Sequence, residues 1–150
     1  MGSYGTHALQ GASAVELVVA LYDGIIRFLY AACDAVDRGD EAGRRAAVRR
    51  ALDIIIHLQA RLRPDVGGRP AQALSEFYAS VFAEILQGSQ RASRAQFEHA
   101  IGCVRTVRDA WKQVARDPGL SAAATVQVDR ARPGAGGEYE VRAGTMRWNA

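Results

Sequence analysis

Cysteine, proline and aromatic residues are all scarce in this chain of 150 residues, with two cysteines, four prolines and a 7% aromatic share. Cys33 and Cys103 stand far apart on apolar positions, with neither a CxxC pair nor a Cys/His cluster. That excludes a disulfide scaffold and predicts two reduced core thiols, as in a cytosolic protein. No long hydrophobic run is present either. The most apolar stretch is broken by Glu16, Asp23 and Arg27 and has no basic lead, which argues against a membrane span or a secretion signal. Met1 to Thr6 formally fits an N-myristoylation pattern, but short Gly/Ser openings are common and the reading is set aside.

Catalytic patterns are missing as well. Gly67-Gly68 lacks the lysine and spacing of a phosphate loop. A di-metal bundle needs Glu-x-x-His, yet Ile54 and Gln96 occupy the positions three residues before His57 and His99. Without a nucleophile beside a base or a convergent polar pocket, an enzyme is not expected, and no cofactor is implied. Net charge is only +3, with 15 basic against 12 acidic residues up to Arg116, so overall charge does not announce nucleic acid. Locally, Arg44, Arg45, Arg49 and Arg50 fall within seven residues. The favoured reading is a solvated helix face, and the alternative is a nucleic-acid-binding bundle that uses this basic cluster.

What the chain does contain is helical periodicity. A first helix is expected from about Ala14 to Arg38, opened by a capping box of Ser13 and Glu16 and closed at Gly39. Leu17, Leu21, Ile25, Phe28, Ala32 and Val36 form one buried stripe, and Asp23 can pair with Arg27 four residues on. A second stripe runs beside it through Val18, Tyr22, Ile26, Leu29 and Cys33. One neighbouring helix cannot cover both, so this helix is either central or open to a ligand chain.

The second helix is expected from about Glu41 to Arg63, with a seam of Val48, Ala51, Ile55, Leu58 and Leu62 and an extra stripe of Leu52 and Ile56. Pro64 and Gly67-Gly68 end it. The third begins near Pro70 and runs to about Leu86, with Leu74, Phe77, Tyr78, Val81, Phe82, Ile85 and Leu86 on its apolar face and Gly88-Ser89 as its breaker. Ser93 and Gln96 offer a second capping box before Phe97, Ala100, Ile101, Val104, Val107, Trp111 and Val114, and this fourth helix ends near Arg116. Short connections between helices of this length predict an all-α, antiparallel up-down four-helix bundle over 13–116. Residues 117–150 are rich in glycine and proline and read as an irregular, flexible tail in which a small hairpin fits. A bundle with apolar surface to spare binds chains, because interhelical grooves accept amphipathic helices and a disordered partner folds on contact.

The residues also resemble the FliS family of flagellar secretion chaperones over about Tyr4 to Arg116. The family's first-helix signature is similar to Ser13, Glu16-Leu17 and Leu21-Tyr22-Asp23-Gly24, continuing into Phe28 and Ala31-Ala32. Ala51, Ile54-Ile55 and Leu58 resemble its second helix, Leu74 and Tyr78 its third, and Arg108 to Lys112 the end of its fourth. The resemblance implies a cytosolic chaperone that binds the disordered C-terminal segment of flagellin, prevents early polymerisation and delivers it to the flagellar type III export apparatus, as a monomer or weak homodimer. It also implies that residues 1–12 form a lid over part of the binding surface, with Tyr4 in the site. The candidate contact residues are Tyr4, Val18, Tyr22, Ile26, Leu29, Leu52, Ile56, Phe77 and Tyr78. Ala14 stands where the family usually has proline, and the tail has no counterpart in it, which leaves a divergent paralogue with another client as a further alternative.

Overall fold

A computed structural model describes residues 6–62 and 64–116, the side chains of 6–13, 64–67 and 115 excepted. Among them stand four helices: α1 (Thr6–Arg38), α2 (Glu41–Arg61), α3 (Pro64–Gln90) and α4 (Arg94–Arg116). Short connections make consecutive helices antiparallel. α1 packs against α2 and α4, and α3 closes the ring against the same two, α2 and α3 meeting least closely. The expected all-α four-helix bundle is what the chain forms. No helix among the described residues is long and apolar enough to cross a membrane. Of the expected lid 1–12, residues 1–5 with Tyr4 lie outside the described residues, as does the tail 117–150 with its hairpin, while residues 6–12 belong to α1.

Several helix ends differ from expectation. α1 starts at Thr6 instead of Ala14, which places Ser13 inside the helix and removes its capping role. Ala8, Leu9, Gln10 and Ala12 are good helix formers, and nothing in that stretch stops the helix. α1 does end at Arg38. Gly39 follows with φ 69°, its N–H donating to the Val36 carbonyl (3.0 Å) while the Asp40 N–H donates to Ala35 (2.8 Å). This pair of bonds closes the helix on a left-handed residue. Asp40 then opens α2 by accepting from the Gly43 N–H at 2.8 Å, and that bond, with Arg38 beside it, holds the carboxyl below the ordinary aspartate range.

α2 stops at Arg61, two residues before the expected end, with Leu62 extended. α3 has a short first turn and a long helix meeting at Gly68, whose φ of 64° no other residue adopts cheaply. It then continues through Gly88 to Gln90, so Gly88 does not break it. A β-carbon there would stand 3.1 Å from the Phe97 ring, and the missing side chain is what lets α4 come close. Ser93 caps α4 by accepting from the Gln96 N–H at 3.1 Å. Only half of the capping box forms, because the Ser93 N–H already donates to Gly88 and the Gln96 amide donates to Gln87.

Ala92 sits at the end of α3 with φ 48°, and the same two bonds that surround Gly39 surround it. A β-carbon is strained in that region. Ala92→Gly is therefore expected to stabilise the protein by up to about 1 kcal/mol, read as a higher Tm with unchanged helicity.

Candidate functional site

The two stripes of α1 do not divide as their spacing suggests. Val18, Tyr22, Ile26 and Leu29, candidates for a contact face with plain core as the alternative, are all buried in the core, and Cys33 is buried with them. Leu17, assigned to the buried stripe, is 43% exposed. The cause is the ring of helices: α1 lies between α2 and α4, so the side chains pointing at the bundle axis are covered from both flanks. The α1 stripe is thus core, and it offers no surface to a docked chain while the bundle is closed.

Within it, Leu21 to Gly24 reaches every other helix. The Tyr22 hydroxyl hydrogen-bonds that of Tyr78 on α3 at 2.7 Å, with the rings edge to face at 6.3 Å. The Trp111 indole on α4 adds a second polar contact to Tyr22. Burial pushes both hydroxyls well above the ordinary tyrosine range, so both stay neutral. Asp23 pairs across to Arg108 of α4 at 2.9 Å. Arg27, its expected partner, instead lies over the Phe28 ring at 5.2 Å. Gly24 lets α2 in, since a β-carbon there would stand 3.0 Å from Ile54.

Apolar surface is left over elsewhere, along the seam of α2 and α3. Ile56 is 54% exposed and Leu86 40%. Two open hollows meet there and share Ile56 and Phe82. One, of about 450 Å³, is lined by Ile55, Ile56, Gln59, Ala60, Tyr78, Ala79 and Phe82. The other, of about 690 Å³, adds Val48, Leu52 and Leu86, with Arg45, Arg49, Asp53 and Ser89 at its edge. Together they make a trough with an apolar floor and basic side chains at one end. Of the sequence candidates, Leu52 and Ile56 line it and buried Tyr78 forms part of its floor. Phe77 packs on the Tyr78 ring at 5.8 Å. Phe82 and Leu86, read from the sequence as part of the apolar face of α3, were not among the contact candidates, although their four-residue spacing marks one stripe.

The arginine cluster does not act as one patch. Arg44 is largely buried, within 3.7 Å of Glu41 and 3.4 Å of the Ser89 hydroxyl, and Arg45 pairs with Glu41 at 3.0 Å. Arg50 points the other way, over Phe28 on α1 at 5.7 Å. A phosphate backbone needs cations aligned along one face, and these diverge around the helix. His57 is exposed, as expected, but His99 is not isolated: it meets Glu84 and Cys103.

Comparison with known proteins agrees with the geometry. Residues 1–118 match the family model described as flagellar protein FliS. The chain is 32% identical over 108 residues to the flagellar secretion chaperone FliS of Salmonella typhimurium, covering 71% of this chain and 80% of that one. It is 28% identical over 106 residues to the protein of the same name from Vibrio cholerae, covering 71% and 78%. The Escherichia coli FliS is 26% identical over 114 residues, covering 75% and 84%.

Proposed function

Because this chain belongs to the FliS family, a family of flagellar secretion chaperones and not of enzymes, we propose that its client is the disordered C-terminal segment of a flagellin. It holds that segment in the cytosol, keeps it from polymerising and passes it to the flagellar export apparatus. The observation that carries the reading is the trough between α2 and α3, with Ile56 more than half exposed on its floor. A large aliphatic side chain held open to water gains by being covered, at roughly 25 cal/mol per Å² of apolar area removed from solvent. An amphipathic helix presenting apolar residues at three- and four-residue spacing fits such a trough. Arg45 and Arg49 at one end favour acidic side chains on the client. Leu52, Ile56, Phe82 and Leu86 are the contacts of this reading, and the resemblance adds Tyr4 as a side chain that shields apolar bundle surface until a client displaces it.

The test is calorimetric titration of a synthetic flagellin C-terminal peptide into the full chain, with circular dichroism followed in parallel. Binding at micromolar concentrations with a gain in helicity is expected. Ile56→Asp should weaken it by more than about tenfold, or 1.4 kcal/mol, with no fall in Tm, because the new carboxylate stands at the surface when free and must be dehydrated when covered. No heat from the unmodified chain would remove flagellin as client, and equal binding by the variant would move the site off the trough.

A further inference from the structure

Glu84 on α3 and His99 and Cys103 on α4 turn three metal-ligating atoms toward one another. His99 and Cys103 are four residues apart, hence one above the other on the same edge of α4. Glu84 faces them from the neighbouring helix, its carboxylate 2.7 Å from the His99 Nδ1. The Cys103 Sγ lies 4.0 Å from that same nitrogen, and all three donors fall within 4.8 Å of one another. We infer that Glu84, His99 and Cys103 bind one zinc ion between α3 and α4.

The chemistry of the donors selects the ion. A thiolate and an imidazole beside one carboxylate suit zinc, whereas magnesium and calcium call for oxygen donors throughout. Around a tetrahedral zinc with bonds of 2.0–2.3 Å, neighbouring donors stand roughly 3.4–3.6 Å apart. Opening the His99–Glu84 contact and closing the His99–Cys103 one moves the donors toward that arrangement. His99 has the freedom to do so, its side chain being 69% exposed. Charge agrees too. One thiolate and one carboxylate balance the two charges of a divalent cation. On binding, Cys103 releases its proton to solvent, the Nδ1 proton that His99 gives to Glu84 is exchanged through solvent for one on Nε2 so that Nδ1 is free to coordinate, and water takes the fourth position. The ion then staples α3 to α4 on the edge away from the trough residues of α2.

The experiment uses the full chain, reduced and stripped by chelator, titrated first with Co²⁺ and then with Zn²⁺ against a chromophoric competitor. One equivalent is expected, with a thiolate-to-cobalt absorption band, displacement of cobalt by zinc, and a rise in Tm that Mg²⁺ does not reproduce. Cys103→Ser and His99→Ala should each abolish the band and weaken zinc by more than about tenfold. His57→Ala and Cys33→Ala should leave both intact. His99 lies at the surface, so its variant stays folded, as circular dichroism under the same conditions checks. A chain that gives no band, or a band that survives in either the Cys103 or the His99 variant, overturns the site.

Discussion

Truncating Tyr22 to alanine is expected to cost the bundle about 3–5 kcal/mol, enough to unfold much of it at growth temperature. Tyr22 is the largest fully buried side chain of the core and touches α3 and α4 from α1. Removing the ring leaves a cavity on the bundle axis and strands the Tyr78 hydroxyl, 4% exposed, without its partner. The two losses separate in a double-mutant cycle. Tyr22→Phe leaves the buried Tyr78 hydroxyl without its partner, at roughly 1–3 kcal/mol, Tyr78→Phe costs less because the Tyr22 hydroxyl keeps the Trp111 indole, and the double variant should cost less than their sum. Urea unfolding of the four proteins measures this, and strictly additive values would deny the hydroxyl pair any role. Both hydroxyls titrate higher folded than unfolded, so their contribution is complete below the ordinary value of 10.0 and fades as pH climbs past it.

The second large effect is a contrast between neighbours. Ile55→Ala should cost about 2–5 kcal/mol and Ile56→Ala less than about 0.5 kcal/mol. Both are isoleucines on α2 with the same helix propensity, but Ile55 is 2% exposed and faces the core, while Ile56 stands on the trough floor. Paired thermal melts check the stability half. In the proposed role the order reverses for client affinity, where the exposed residue matters more.

The seams were legible because three- and four-residue spacing is a property of one helix. Val48, Ala51, Ile55 and Leu58 could be placed in the core from the α2 sequence alone. The four-helix architecture followed from short connections. What spacing could not decide was which of two adjacent stripes on α1 meets its neighbours, since that depends on where α2 and α4 sit around it. The contact candidates on α1 are therefore core, whereas Leu52 and Ile56 on α2 line open surface. Helix ends misread for a similar reason. Gly88 looked like a stop, but its lack of a side chain serves a partner helix nine residues further along the chain. His99 looked isolated because Glu84, fifteen residues earlier, belongs to another helix.

The run Leu21 to Gly24 joins α1 to all three other helices through a hydroxyl pair, an ion pair and a missing β-carbon. Damage there raises the share of chains lying open to proteases, so cells carrying such variants would show low steady-state protein and only then poor motility. If the proposed role holds, restoring abundance, by overexpression or protease deletion, should recover swimming for these variants and not for a trough variant such as Ile56→Asp. In the proposed role, selectivity for a different cargo would drift along the outer edges of α2 and α3 without disturbing the joint that keeps the molecule in one piece.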